Sequence, residues 1–212
     1  RIIKEAFYIA RTGRPGPVVV DLPKDIQQAM GTDEYPDTVS IRGYKPNEGV
    51  HMGQIKKAVS VLSKAKKPLF LIGGGVNIAH AQKEMTQLAE TTGVPVITTI
   101  MGKGAIPTNH PLYMGNIGIH GSYAANHAVS ECDVLFSIGT RFNDRITGKI
   151  SEFAKNAKII HIDIDAASIS KNIVVDIPIV ADAKIAIDKL NENVKPVGAE
   201  KWVEQVTGWK ND

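Results

Sequence analysis

Residues 132 to 145 read Cys-Asp-Val-Leu-Phe-Ser-Ile-Gly-Thr-Arg-Phe-Asn-Asp-Arg, and this stretch indicates both the fold and its binding edge. The continuous apolar run at 134–138 is typical of a strand buried on both faces of a parallel sheet. In open parallel sheets, ligands bind at the carboxyl ends of strands, where Arg141 and Arg145 follow Gly139. Guanidinium groups stay charged and match phosphate oxygens in a two-pronged way, so we expect this pair to contact a diphosphate.

The two arginines could instead be solvated side chains that pair with Glu152 or Asp144. A single arginine would favour that interpretation. Two arginines that closely follow a strand-end glycine favour contact with a ligand, and we take both as candidate binding residues.

Strand-like and helix-like segments alternate along the rest of the chain. Strands are predicted at 69–72, 94–98, 134–138, 159–163 and 177–180, and helices at 51–65, 79–92, 123–131 and 185–193. A long irregular stretch with several glycines, 101–121, is typical of a functional loop. The alternation predicts an α/β fold, a doubly wound parallel sheet with helices on both faces.

The composition narrows the class of protein. The 212 residues carry a net charge of +3, and the lysines are interspersed with acids, which argues against nucleic-acid binding. No apolar stretch approaches the roughly 18 residues of a membrane helix. The single cysteine, Cys132, cannot form an internal disulfide. We therefore expect a soluble cytoplasmic protein that binds neither nucleic acid nor a membrane.

The two ends of the chain differ from its centre. Residues 1–11 have an amphipathic helical pattern with no capping residue ahead, and a turn cluster then leads to an apolar run, Val18–Val20, that predicts a strand. Such a start indicates a piece of a longer chain, and a processed N-terminus would look the same. The polar, Pro- and Gly-spaced residues 27–47 predict a linker. The tail, 194–212, shows no clear core pattern and is expected to be a connector.

A glycine triplet, Gly73-Gly74-Gly75, lies between a predicted strand and a predicted helix. Glycines at such a place let the backbone approach a ligand closely and present amide hydrogens to an anion. The triplet is neither a full G-x-G-x-x-G nor a P-loop, so a glycine-rich turn without a ligand is an equal interpretation.

Two acids and one histidine complete the candidates. Asp163 and Asp165 end a predicted strand at roughly the 20-residue offset from Gly139 at which an acid binds a ribose. We assign the ribose or ligand backbone to Asp163 and a helix-capping role to Asp165. His120, in the glycine-rich loop, is placed to pack on a flat ring. We recognise no nucleophile with a matched base, carboxylate pair or metal cluster, so no catalytic or metal residue is predicted.

Several segments carry a resemblance to a known family: 13–25 (Gly-Arg-Pro-Gly-Pro-Val-Val-Val-Asp-Leu-Pro-Lys-Asp), 73–75, 101–104 (Met-Gly-Lys-Gly), 120–121 and 139–145. Together they resemble the large catalytic subunit of acetolactate synthase (acetohydroxyacid synthase), a family of thiamine-diphosphate-dependent flavoproteins. The first segment is shared widely among thiamine-diphosphate decarboxylases. The arginine segment and the His-Gly loop are narrower and point to the flavin-containing branch.

The resemblance implies a Rossmann-like central domain that binds FAD, with no net redox change of the flavin. It implies that 1–26 end the pyrimidine-binding domain, 27–47 are a linker, 48–194 form the central domain and 195–212 lead towards the diphosphate-binding domain. Matched residue by residue, it implies FAD contacts at Arg14, Gly73, Gly74, Gly75, Thr99, Ile100, Ile119, His120, Gly121, Gly139, Thr140, Arg141, Arg145, Asp163, Ile164, Asp182 and Ala183.

The family's activity is a transferase reaction of branched-chain amino-acid (isoleucine and valine) biosynthesis. It condenses two pyruvates, or pyruvate and 2-ketobutyrate, with decarboxylation. In the family, thiamine diphosphate and magnesium are bound by segments outside these residues, so the chain alone is expected to be inactive. The resemblance also implies a homodimer or higher oligomer and a small regulatory subunit. Two alternatives stay open: an NAD- or ADP-binding domain of another thiamine-diphosphate-dependent decarboxylase or carboligase, and an assembly spacer that binds no nucleotide.

Overall fold

The computed structural model describes residues 1–32, 34–47 and 49–211, and the chain divides into two compact units, Arg1–Asn47 and Glu48–Asp212. The first unit contains the helices α1 (Ile2–Arg11) and α2 (Lys24–Gln28). The predicted strand at Val18–Val20 is not formed. A strand exists only when its backbone pairs with a neighbour, and among the described residues of this unit none pairs with this segment.

The second unit is built on a six-stranded parallel sheet. Its strands are β1 (Pro68–Ile72), β2 (Val96–Thr98), β3 (Tyr113–Asn116), β4 (Val134–Ile138), β5 (Lys158–Asp163) and β6 (Ile177–Val180). They lie in the order β3-β2-β1-β4-β5-β6, and every neighbouring pair is parallel. The predicted fold class is therefore confirmed. The strand order reverses direction between β1 and β4, which makes their shared carboxyl end the topological switch point.

Helices cover both faces of this sheet. They are α3 (Met52–Leu62), α4 (Gly74–Ile78), α5 (Gln82–Thr92), α6 (Tyr123–Glu131), α7 (Asp144–Thr147), α8 (Ala183–Asn191) and α9 (Glu200–Asn211). Side chains alternate between two hydrophobic clusters: Phe70 and Ile72 belong to one, and Leu69 and Leu71 to the other. The first cluster packs under α3, α5 and α8, and the second under α6 and α9. In the described part of the chain, no helix combines the length and apolar character needed to cross a membrane.

Besides the strand that is not formed at Val18–Val20, three elements of the second unit differ from the sequence-based expectation. The stretch 101–121, expected to be irregular, contains the edge strand β3. The helix predicted at 79–92 begins later, as α5 at Gln82, and a separate short helix that was not predicted, α4, ends at Ile78. Between the two, His80 has a φ of 52°, which cannot continue a helix. The tail, expected to lack a core pattern, forms α9, in which Trp202 is buried. The Trp202 indole donates to the Pro68 carbonyl of β1 at 2.9 Å.

Candidate functional site

The candidate residues of the second unit follow the carboxyl ends of all six strands. Because parallel strands end on the same edge, the fold brings these segments together along one rim. Residues 73–75 follow β1, 99–100 follow β2, 119–121 follow β3, 139–145 follow β4, 163–164 end β5, and 182–183 follow β6. The remaining candidate, Arg14, belongs to the first unit, in the turn after α1.

At the switch point, the loops after β1 and β4 touch backbone to backbone. The Gly73 amide donates to the Ile138 carbonyl at 2.9 Å, and the Gly75 amide donates to the Gly139 carbonyl at 3.0 Å. A Cβ at Gly73 would lie 2.1 Å from the Gly139 oxygen, and one at Gly75 would lie 2.7 Å from the Gly139 Cα. The close packing of the two loops therefore explains by itself why residues 73 and 75 are glycines, independently of any ligand at the rim.

The segment after β2 presents apolar side chains at the same rim. Thr99 is buried, and its hydroxyl accepts from the Gly102 amide at 3.1 Å, which starts a tight turn. The next residues, Ile100 and Met101, are 67% and 72% exposed. The Asn77 side chain fixes this turn by donating to the Met101 carbonyl at 3.0 Å. Large apolar side chains exposed to solvent are typical of a binding surface, and here they could pack against a flat ring system.

The loop after β3 meets the segment after β4. The Ile119 amide donates to the Arg145 carbonyl at 3.1 Å, which brings two of the candidate residues together, and the Ile119 side chain is 66% exposed. His120 is exposed as expected. Gly121 closes a tight turn, because a Cβ there would lie 2.5 Å from the Asn116 oxygen.

Both candidate arginines are exposed at the rim. The Arg145 side chain is 76% exposed and only reaches the neighbouring Asp144, at 4.0 Å. Glu152, the other suggested partner, instead contacts Lys155 at 2.8 Å. Within residues 1–32, 34–47 and 49–211, Arg141 forms no ion pair. The alternative in which acidic neighbours neutralise both arginines is therefore weakened, and positive charge remains available to a ligand.

A cleft opens beside Arg145 on the face covered by α6. Its volume is about 410 Å³, and Asn126, Ser130, Lys149 and Phe153 are among its lining residues. The Asn126 amide group is already engaged, because it bonds both the Gly118 amide and the Gly118 carbonyl at 3.0 Å. The cleft is thus continuous with the rim through Arg145, and its polar lining is partly satisfied within the protein.

The acids after β5 and β6 fix the backbone. Asp163 is 8% exposed, and its side chain accepts from the Asp165 amide at 2.9 Å. Asp165 accepts from the Ala167 amide at 2.9 Å, which is the capping role assigned to it. Asp182 caps α8 by accepting from the amides of Lys184 at 2.9 Å and Ile185 at 3.2 Å. Ile164 is half-buried and Ala183 is buried beside these acids.

The sequence reasoning missed one buried histidine, His161, in the middle of β5. Its ring is 0% exposed, and Nε2 donates to the Thr140 carbonyl at 2.8 Å. Burial lowers the pKa of His161 to about 4, so the ring is neutral at physiological pH. Its contact with Asp163, at 3.7 Å, is consequently not an ion pair there. A polar residue inside an apolar run, Ile-Ile-His-Ile, was the signal that could have identified it.

No group of three or more metal-ligating side chains comes together in the described residues. A parallel sheet that reverses at its centre, with glycine loops and arginines at the reversal, defines a Rossmann-like domain. The chain belongs to the family described as thiamine pyrophosphate enzyme, central domain, whose model matches residues 55–190.

Relatives of this chain carry the names that the resemblance suggested. It is 48% identical over 99% of its length to a probable acetolactate synthase large subunit of Methanococcus aeolicus, of which 37% is covered. It is 50% identical over 96% of its length to a probable acetolactate synthase large subunit of Methanocaldococcus jannaschii, of which 35% is covered. It is 41% identical over 99% of its length to the acetolactate synthase isozyme 3 large subunit of Escherichia coli, of which 37% is covered. The chain thus spans somewhat more than a third of the length of these relatives.

Proposed function

We propose that this chain is the FAD-binding central part of an acetolactate synthase large subunit. The names of the relatives support the assignment to acetolactate synthase. The family supports a reaction that depends on thiamine diphosphate. The whole protein would be a cytoplasmic enzyme that joins two pyruvates, or pyruvate and 2-ketobutyrate, with decarboxylation. It would work as a homodimer or higher oligomer with a small regulatory subunit.

The observation that carries FAD binding is the pair of exposed arginines beside the switch point. Arg141 and Arg145 supply two guanidinium groups with little compensating negative charge, at the edge where such sheets bind nucleotides. Ile100 and Ile119 supply exposed apolar surface for a ring system. The acid for a ribose is Asp163, which lies at the end of β5. Phosphate, ring and sugar thus each have a chemically matching group on one rim.

Each group of residues has a separate role in binding FAD. The arginines bind the diphosphate, the two isoleucines exclude water from one side of the rings, and the bound group supplies structural support, with no net redox. Thiamine diphosphate and magnesium would be held by segments outside residues 1–212. We therefore expect the purified chain, given both cofactors and pyruvate, to form no acetolactate. Formation of acetolactate by the chain alone would contradict this assignment.

Thermal unfolding in the presence of FAD, NAD or ADP tests the ligand. A ligand that binds only the folded state raises the melting temperature, and we expect a larger rise with FAD than with NAD or ADP at equal concentration. A rise with NAD alone, or with none of the three, would refute FAD binding and favour one of the two alternatives.

Charge removal at the rim tests the residues. Arg141→Ala and Arg145→Ala should each weaken FAD binding about ten- to a hundredfold, since a hydrogen bond to a charged group contributes about 1.5–3 kcal/mol. Lys158→Ala is the matched control. Lys158 is an exposed cation that begins β5, on the opposite edge of the sheet, and its loss should leave the affinity unchanged. Equal losses in all three variants would mean that only net charge matters.

A further inference from the structure

The loop after β4, residues 139–142, is held by donors from three other segments. Its first carbonyl accepts from the Gly75 amide at 3.0 Å, and its second accepts from His161 Nε2 at 2.8 Å. The third and fourth carbonyls both accept from the side-chain amide of Asn172, at 3.1 Å each. Four consecutive backbone carbonyls are thus each bonded to a protein group outside the loop.

This arrangement fixes the direction of the loop's amide hydrogens. No peptide bond in the described chain is cis, and across a trans peptide the N–H points opposite to the carbonyl. The N–H groups of Thr140, Arg141 and Phe142 must then face away from the donors that hold the carbonyls. Among the described residues none of the three has an acceptor. Successive unpaired amides of this kind form an anion-binding concavity.

We propose that His161 and Asn172 are positioning residues, which hold the loop so that three successive amide hydrogens face the diphosphate of the ligand. The identity of that ligand rests on the proposed function, whereas the loop geometry does not. Neither side chain touches the ligand in this proposal. Each acts through a backbone carbonyl, and the amides and Arg141 make the contact.

The two residues are suited to this role in different ways. His161 is buried in β5, with its ring 5.0 Å from that of Phe142, so it cannot turn away from the carbonyl that it holds. Its Nδ1 is buried and has no partner in the described chain, and the Thr140 carbonyl can only accept, so the proton resides on Nε2. Asn172 is exposed, so it can be replaced without disturbing a core.

The first experiment needs no ligand. Amide ¹H–¹⁵N spectra of the chain are recorded for the wild type, Asn172→Ala and Asn193→Ala. Asn193 is the matched control, because it is also exposed and donates to a carbonyl, that of Lys189, at 2.8 Å. We expect the amide signals of residues 140–142 to move in Asn172→Ala and to stay in place in Asn193→Ala. Unchanged loop signals in Asn172→Ala would overturn the proposal.

The second experiment measures the consequence for binding. In Asn172→Ala the dissociation constant of FAD should rise about tenfold, because one to two hydrogen bonds that hold the loop are lost. The dissociation constant of inorganic diphosphate, measured by its displacement of FAD, should rise by the same factor. Without ligand, Asn172→Ala and Asn193→Ala should have the same melting temperature. A weaker FAD affinity without a weaker diphosphate affinity would overturn the proposal. Failure of the wild type to bind FAD would refute the proposed function, and the amide spectra would still decide the positioning role.

His161 provides a third readout through conservative replacement. His161→Phe keeps a ring of similar shape and loses the donor, whereas His161→Gln keeps an N–H donor. We expect the loop amides and the diphosphate affinity to change in His161→Phe and to recover in part in His161→Gln. Ser137→Ala is the control, since Ser137 lies beside His161 on β4, is equally buried, and its hydroxyl has no hydrogen-bond partner among the described residues. Equal effects of His161→Phe and Ser137→Ala would contradict a specific positioning role.

Discussion

Replacing Gly73 with alanine tests whether the loops after β1 and β4 depend on direct backbone contact. The backbone of Gly73 has φ −100° and ψ −176°, an extended conformation that any residue adopts, so the change introduces no dihedral strain. The added Cβ would lie 2.1 Å from the Gly139 oxygen, 2.6 Å from its carbonyl carbon and 2.7 Å from the Thr140 Cα. All three are backbone atoms, so no side chain can rotate to make room, and the two loops must separate.

The expected cost follows from that separation. Two hydrogen bonds cross the junction, from Gly73 to Ile138 at 2.9 Å and from Gly75 to Gly139 at 3.0 Å, and each contributes about 1 kcal/mol. Overpacking of a tight site adds about 1–3 kcal/mol. The free energy of unfolding should therefore fall by about 3–5 kcal/mol. For a chain of this size, that corresponds to a fall in melting temperature of about 10 °C.

Tryptophan fluorescence is the assay of choice, because both tryptophans, Trp202 and Trp209, lie in α9 of the second unit and report on that unit. Gly208→Ala is the control: it makes the same chemical change within α9, where, apart from the adjoining residues and backbone of the helix itself, no atom of the described residues lies within 4 Å of the added Cβ. Alanine is favoured over glycine in helices by about 0.5–1 kcal/mol, so the control should unfold at the same or a higher temperature. A Gly73→Ala protein that melts within about 3 °C of the wild type would refute the argument.

Two further predictions concern buried titratable groups. The pKa of His161, about 4, lies below the ordinary value of 6.5, so the unfolded chain binds more protons between these values and stability is lost as the pH falls through that range. Denaturant titrations should show that the free energy of unfolding falls by about 2 kcal/mol between pH 7 and pH 5 in the wild type and that this fall disappears in His161→Phe. An equal fall in His161→Phe would show that His161 is not its cause. Burial raises the pKa of the Cys132 thiol to about 12, so the folded chain should not react with an aromatic disulfide reagent at pH 8, whereas the chain in urea should react once. Rapid reaction of the folded chain would show that the thiol is accessible.

The central part of the fold could be predicted because its signals are local. β4 is a run of five fully buried residues, and its predicted limits, 134 and 138, agree with the structure. α6 has the predicted limits, 123 and 131, because Ser122 provides a capping side chain and its alanines form one buried face. In such segments, burial and local pattern require the same structure.

The elements that the sequence analysis did not predict, β3 and α9, have a weak sequence pattern in the first case and an overlooked one in the second. β3 reads Tyr-Met-Gly-Asn, and its glycine has a φ of 107°, which is foreign to regular strands, so only pairing with β2 creates it. α9 had a readable pattern, since Trp202, Val206 and Trp209 recur at helical spacing. Among the candidate site residues, the sequence could suggest the strand-end segments. It could not show that the His161 side chain reaches the Thr140 carbonyl, because that contact depends on the register of β4 against β5.

The hydrogen bond from Trp202 to the Pro68 carbonyl also constrains how the second unit can form. It joins positions 134 residues apart, and the Lys67 ammonium lies 5.2 Å from the same indole ring. While the protein is being made, the first strand of the sheet emerges long before the helix that covers it. The part of the apolar surface that α9 covers must stay uncovered until nearly all of the unit has left the ribosome, a period in which it is open to aggregation or to capture by chaperones.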